Sequence, residues 1–332
     1  MPTILSNLPS GESRNRSGGI AVVAAAFAIA ACAGPAARPS TPGEFNKAPY
    51  IVVLGVAQDG SHPQAGCDRA CCKRAWEHPS ERHYASSLSL VDPRSHKRWI
   101  FDATPDLPAQ LHTLQPEGAP SPIVTGVFLT HGHIGHYAGL MHLGREVMGT
   151  SGIDVFAMPR MQAFLETNGP WSQLVKLRNI VIVPMLDHQE VMLADDIKVI
   201  PMLVPHRDEY TETVGFSIRG PHKRVLYIPD IDKWEKWSSP IESVIAEHDD
   251  VFIDGTFFSA GELRGRTMAE VPHPFIAESM ARLSKLSERE RAKVRFIHLN
   301  HTNPALDSKS AAAEKVRAQG FALAAQGDVI SL

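Results

Sequence analysis

Between residues 130 and 136 the chain reads Thr130-His131-Gly132-His133-Ile134-Gly135-His136, directly after the apolar stretch Val127-Phe128-Leu129. His131 and His133, two positions apart, project to one side of an extended or loop segment, and His136 approaches from the start of the element that follows. Three neutral imidazoles this close suit Zn, Fe, Mn or Ni, and histidine alone does not choose among these metals. The plain alternative is a His-rich surface loop, and the apolar flank argues against it. Sixteen His in 332 residues is an unusual count, but the short spacings carry the reading, not the number.

Three cysteines form a second group, Cys67, Cys71 and Cys72. An odd number excludes a fully paired disulfide set within the chain, and adjacent cysteines rarely bond to each other because the geometry is strained. Three thiolates and one further ligand suit a structural tetrahedral zinc, with His62 and His83 as candidate fourth ligands. One disulfide plus a free thiol is the competing reading.

These side chains need elements to hold them. Strand-length apolar runs, many rich in Val and Ile, recur from Tyr50 to the C-terminus, among them Arg98–Asp102, Val124–Leu129, Ile197–Leu203, Arg224–Ile228, Val251–Asp254 and Arg295–Leu299. Helical spacing appears over Met158–Thr167, Pro274–Leu286 and Ser310–Gln319. Asp102 ends one strand candidate, and His131, His206, Asp230, Asp254 and His301 follow others. Strand-end loops are where a layered α/β protein gathers ligands. No repeat period is present, and nothing after Pro49 reads as an interdomain linker.

The composition is globular, with 43% hydrophobic and 21% charged residues. A net charge of −3, with only five Trp and five Tyr, gives no argument for a nucleic-acid partner. A small-molecule substrate is expected. The first 48 residues do not read as fold. Arg14 and Arg16 precede an apolar run from Gly19 to Ala31, too short to span a bilayer comfortably and suited to a signal-peptide core. Ile29-Ala30-Ala31-Cys32 resembles a bacterial lipobox, which implies a tether through a lipidated Cys32 on the periplasmic side of a membrane. An ordinary cleaved signal is the alternative. The expected organisation is a leader and flexible tether over 1–48 and one α/β catalytic domain over 49–332.

The histidine segment resembles the His-x-His-x-Asp-His signature of the metallo-β-lactamase superfamily. Val204-Pro205-His206-Arg207, followed by Thr213-Val214-Gly215-Phe216, is similar to the third-ligand segment of that superfamily's tRNA-processing and phosphodiesterase branch. Tyr227-Ile228-Pro229-Asp230 resembles the segment giving the metal-bridging Asp, and Leu299-Asn300-His301 the final ligand. Gln64-Ala65-Gly66-Cys67, Asp102-Ala103-Thr104-Pro105-Asp106, Asp254-Gly255-Thr256-Phe257 and Asn300-His301-Thr302-Asn303-Pro304 are similar to the pyrroloquinoline quinone biosynthesis B family. The resemblance covers nearly everything after residue 49.

It implies a four-layer αββα sandwich. His131, His133 and His206 would form a first metal site. Asp230 would bridge to a second, completed by His136 and His301. Asp102 would accept a hydrogen bond from a ligand imidazole, or else be a turn residue before Pro105. His273 would be a general acid for the leaving group, or else a helix-start histidine before Pro274. His188, Asp208, Glu209, Asp232 and His298 are further polar candidates, most of them surface groups or supports, with Asp208 and Glu209 on the substrate rim. One or two zinc ions are expected, with Fe or Mn as alternatives.

One departure matters. The signature's Asp is here Gly135, which leaves the second site short of a carboxylate; restoring it by Gly135→Asp is expected to tighten that ion. The implied activity is metal-assisted hydrolysis of an ester or phosphodiester. Two His and one carboxylate are also the ligand set of an iron oxygenase, here one of pyrroloquinoline quinone biosynthesis. A non-catalytic carrier for that cofactor is the third possibility.

Overall fold

The apolar runs become strands because they are rich in β-branched and aromatic residues, and the central strands hide both faces, as Ser87–Asp92 and Asp250–Asp254 do. The computed structural model describes residues 48–115, 123–262 and 271–332. The leader and lipobox-like segment, including Cys32, lie outside them. Among the described residues no helix is long and apolar enough to cross a membrane.

Among the described residues, fourteen strands form two seven-stranded sheets. The first holds β1 (Tyr50–Gly55), β2 (Ser87–Asp92), β3 (Lys97–Phe101), β4 (Gly126–Phe128), β5 (Ile153–Ala157), β6 (Ile180–Pro184) and β14 (Val329–Ser331), in the order β14-β1-β2-β3-β4-β5-β6. The second holds β7 (Val191–Ala194), β8 (Ile197–Leu203), β9 (Val214–Arg219), β10 (Arg224–Ile228), β11 (Asp250–Asp254), β12 (Val294–Ile297) and β13 (Ala322–Leu323), in the order β13-β12-β11-β10-β9-β8-β7. Both are mixed: β3 to β6 run parallel, as do β10 to β13, and the remaining pairings are antiparallel.

The two-residue period assigns the faces. Ile51, Val53, Trp99, Phe101, Phe128 and Phe156 join the core between the sheets. Their strand neighbours Leu54, Ile100, Val127 and Val155 join a separate core with Leu107, Leu111, Leu140, Met161 and Leu165 from the outer helical layer. Phe128 stacks on Phe156 at 4.1 Å and on Phe101 at 5.1 Å, and meets Phe216 of the second sheet edge-on at 5.7 Å. This ladder fixes how the sheets face each other, and losing one such ring to Ala costs about 3–5 kcal/mol. Tyr227, fully buried opposite, keeps its hydroxyl bonded to Ser86 Oγ at 3.1 Å. Behind the second sheet, Ile241, Ile245, Met280 and Val316 from helices Ile241–Ala246, Ile276–Arg282 and Ala311–Ala318 complete the packing. The layers are therefore helix, sheet, sheet, helix, as the sequence resemblance implied.

The consequence for function is directional. β1, β3, β4, β8, β10, β11 and β12 all end at one rim of the sandwich. At that rim the sheets are joined by a bridge between Ala57 and Leu299, with Gln58 N donating to Leu299 O at 2.8 Å.

Candidate metal centre

Each polar side chain at this rim is set by the strand it follows. Asp102 comes directly after β3 in a left-handed backbone conformation (φ 69°), one that Asp tolerates better than most residues. It is fully buried. Its Oδ1 accepts from the Thr130 amide at 2.8 Å and hydroxyl at 2.9 Å, and its Oδ2 accepts from His136 Nδ1 at 2.7 Å. Asp102 is thus a support for His136, and the turn-residue alternative is incomplete. The Thr130 hydroxyl, having donated to Asp102, accepts from His131 Nδ1 at 2.9 Å. The same device recurs on the second sheet: Thr256 Oγ1 donates to Asp254 Oδ1 at 2.7 Å and accepts from His298 Nδ1 at 2.9 Å. With Nδ1 of all three imidazoles donating to a fixed oxygen, Nε2 is left to offer its lone pair to the centre, which is how supporting groups prepare histidine for a metal; His131 Nε2 also meets His133 Nδ1 at 2.8 Å.

Those lone pairs converge. Ligand atoms of His131, His133, His206 and Asp230 lie within 4.8 Å of one another, and so do those of Asp59, His136 and His298. Asp230 stands between the groups. Its Oδ1 is 3.4 Å from His206 Nε2, and its Oδ2 is 3.4 Å from His131 Nε2, 3.5 Å from His136 Nε2 and 3.9 Å from His298 Nε2. Asp59 Oδ1 is 3.0 Å from His136 Nε2 and 3.5 Å from His298 Nε2. Donors about 2.0–2.2 Å from a tetrahedral ion sit roughly 3.3–3.6 Å apart, so much of this spacing is that of a coordination shell. His206 Nε2, His136 Nε2, His298 Nε2, Asp59 Oδ1 and Asp230 Oδ1 are buried without a hydrogen-bond partner. Orphaned polar atoms of this kind are costly in a protein interior, and a bound cation is the group that satisfies nitrogen and oxygen lone pairs at once. The residues therefore fit a metal.

The electrostatics agree. Burial drives His131 well below the usual histidine range, with His136 nearby adding to the effect, and burial likewise lowers His206. Burial also works against charge on His136 and His273, but there carboxylates outweigh it. Asp102, Asp230 and Asp59 raise His136, and Asp254 and Asp230 push His273 up to about 10. Burial opposes charge on Asp230 too, yet His206, His298 and His273 hold it well below the carboxylate range.

Two expectations are corrected. His301 does not join His136. It groups with Cys67, Cys71 and Cys72, whose ligand atoms and its own lie within 4.8 Å of one another. The reason is local backbone: His298, the first residue after β12, adopts φ 65° and turns its ring into the centre, while His301 lies beyond the Leu299 bridge on the cysteine side. His298, expected among the lesser candidates, takes the place assigned to His301.

Equally, His62 and His83 are not the fourth member of the cysteine group. His62 Nε2 bonds Cys71 O at 2.8 Å and its ring stacks on His83 at 5.6 Å. The three thiols are unbridged, with Cys67 and Cys71 sulfurs 3.7 Å apart, close to the roughly 3.8 Å expected around a shared zinc. His301 Nε2 meets Arg69 at 3.1 Å, and its buried Nδ1 has no partner.

Of the remaining candidates, His273 Nδ1 lies 2.8 Å from Asp254 Oδ2 and 3.1 Å from Asp230 Oδ1, beside the centre. It does not cap a helix; the next helix begins at Ile276 with Phe275 before it. Glu209 bonds His133 Nε2 at 2.8 Å from the rim, and Asp208 accepts from Thr213. Asp232 Oδ1 stands 3.8 Å from His206 Nδ1, and His188 is exposed. Asp59 was missed. It lies in the loop four residues after β1, at the same rim as Asp102 after β3.

The family described as "Beta-lactamase superfamily domain" matches residues 97–317. A relative from Xanthomonas campestris pv. campestris (strain B100), named "Coenzyme PQQ synthesis protein B", is 28% identical, over 85% of this chain and 99% of its own length. Among solved structures, zinc-bound PqqB from Methylobacterium extorquens superposes with a TM-score of 0.72 at 24% identity, covering 85% of this chain and all (100%) of that one. A diphosphatase from the PhnP family superposes at 0.58 with 20% identity, covering 86% and 98%. Matched over two-thirds of its length, built on two face-packed mixed sheets and closely resembling coenzyme PQQ synthesis protein B, the chain belongs to the metallo-β-lactamase superfamily.

Proposed function

We propose that this protein is a metal-dependent hydrolase acting on an ester or phosphodiester. The observation that carries this is the convergence of partnerless buried Nε2 and carboxylate atoms from both sheets at coordination spacing. His131, His133, His206 and Asp230 would hold one ion, and His136 and His298 would hold a second beside the shared Asp230. Zinc fits the donor set, and iron or manganese would also be accepted. Bound ions would supply a hydroxide nucleophile at neutral pH and charge for the developing oxyanion.

The chain's own residues do the rest. Asp102 and Thr256 hold ring tautomers. Glu209, at the rim beside His133, faces arriving substrate. His273, with Nδ1 committed to Asp254 and Asp230, has Nε2 left to hand a proton to the leaving group. His273→Ala should retain its metal and lose about 10²–10⁴-fold in turnover with an alkyl leaving group, and much less with p-nitrophenolate, which departs without a proton. Equal losses with both leaving groups would count against His273 as the acid.

A second reading is an iron-dependent oxygenase of pyrroloquinoline quinone biosynthesis, of which the relatives' names support the pathway, coenzyme PQQ synthesis, and the donor set allows the iron. Native metal analysis with paired assays separates the two. Two zinc ions with turnover of bis-p-nitrophenyl phosphate support hydrolysis; one iron with oxygen consumption supports oxidation. The cysteine group with His301 we assign to a structural zinc. The lipobox-like segment supports a periplasm-facing tether, and Cys32→Ser should then move the protein from membrane to soluble fractions.

A further inference from the structure

The signature that places a carboxylate between the second and third histidines has Gly135 there, and a glycine that merely dispensed with a ligand would leave room behind. There is none. A Cβ at position 135 would lie 2.4 Å from the Asp59 Cβ and 2.5 Å from its Oδ1. It would also lie 2.6 Å from the Asp59 Cα. Atoms this close cannot coexist, so the space a side chain at 135 would use is taken by Asp59, side chain and backbone together.

Asp59 arrives from the other end of the fold. It stands four residues after β1, on a segment held against the second sheet. Gln58 N donates to Leu299 O, and Asn300 Nδ2 donates to Gln58 Oε1 at 2.5 Å. Those bonds fix Asp59 next to the His298 turn, with its Oδ1 buried, without a hydrogen-bond partner, and directed at His136 Nε2 and His298 Nε2 at 3.0 and 3.5 Å. The Asp59 side chain keeps 34% of its surface exposed, yet this oxygen is the one turned inward to the two rings.

We propose that Asp59 is the carboxylate ligand of the second ion, transposed from the histidine motif to the loop after β1, and that Gly135 is the vacancy this exchange requires. The second centre is then His136, His298 and Asp59 with the shared Asp230, a complete four-donor set. The inference rests on the metal reading above and deepens it. It also reverses the expectation that Gly135→Asp tightens the second ion: with Asp59 in place, the new side chain has nowhere to go.

The test is metal stoichiometry by elemental analysis and Co²⁺ titration followed by visible absorption, with circular dichroism to confirm folding. Wild-type protein and Asp59→Ala and Gly135→Asp variants are compared. Asp59→Ala should keep the first ion and bind the second more weakly by at least the roughly 10–100-fold that loss of a supporting group costs. Gly135→Asp should gain nothing. Unchanged content and Co²⁺ affinity in a folded Asp59→Ala, or a folded Gly135→Asp that binds the second ion more tightly, would overturn this inference alone. Wild-type protein that takes up no ion at the histidines would overturn the metal reading, and this inference with it.

Discussion

At His136 the choice between ligand and bystander rests on a single proton. Asp102 Oδ2, 2.7 Å from Nδ1, keeps the proton on that nitrogen and leaves Nε2 bare. Asp102→Asn preserves the shape and the Thr130 contacts but turns an NH₂ toward Nδ1, which then becomes the acceptor and moves the ring proton to Nε2. We predict a loss of about 10–100-fold in affinity for the second ion with little change at the first, read by Co²⁺ titration. Equal affinity at both sites would show that Asp102 serves only the backbone turn. At this scale the sequence was only partly legible. His131, His133, His206 and Asp230 follow apolar runs and could be named from the chain. Choosing between His298 and His301 could not be done that way, because the left-handed turn at His298 decides it and nothing in Ile297-His298-Leu299-Asn300-His301 marks that turn. Asp59 was hidden for a different reason: its role depends on the emptiness at Gly135, a relation between residues far apart in sequence.

The elements were more legible because the central strands are continuous buried runs rich in apolar residues, as in β2 and β11. β7 differs. It is only four residues long, Val191–Ala194, and mostly half-exposed at the sheet edge, so like the other edge strands β6, β13 and β14 it lacks the buried run that marks the central ones. Turns tie the sheets together at the end remote from the metal centre. Arg94, in the β2–β3 turn, donates to Asp92 Oδ1 at 2.7 Å and to both oxygens of Asp196, between β7 and β8, at 2.7 and 2.8 Å. Burial would raise the pKa of Asp92, but hydrogen bonds from Arg94 and Ser95 outweigh it and lower it. A carboxylate with a depressed folded pKa contributes stability above its unfolded value, near 3.8, and loses it as pH falls through the folded value. Arg94→Ala should therefore destabilise by about 1–2 kcal/mol at pH 7, a figure already discounted for the half-exposed arginine. The difference from wild type should shrink below about pH 4. Urea melts across that range measure it, and a pH-independent difference would assign the effect to packing. Metal content should not change, since the turn lies at the far end of the sandwich.

For the molecule as a whole, the metal centre is a joint between halves. His131, His133 and His136 extend from the first sheet, and His206, Asp230 and His298 from the second. The apolar ladder of Phe101, Phe128, Phe156 and Phe216 holds the sheets together lower down, but at the rim the contacts are polar and several donors lack partners. An ion there binds the folded arrangement and not the dispersed chain, in which the histidine and Asp230 ligands are spread from His131 to His298 and Asp59 lies further off still. Mass action then gives about 2.7 kcal/mol of stabilisation at a free metal concentration 100 times Kd, a rise on the order of 5 °C in Tm for a chain of this size. We predict that chelation lowers Tm by this order and that returning zinc restores it. The cysteine group would contribute its own share, so the comparison that isolates the joint is Asp230→Ala, which removes the carboxylate common to both ions while leaving Cys67, Cys71, Cys72 and His301 untouched. In that variant the chelation shift should shrink to the cysteine contribution alone. An undiminished shift would mean that the stabilising metal sits elsewhere and that the rim is held without one.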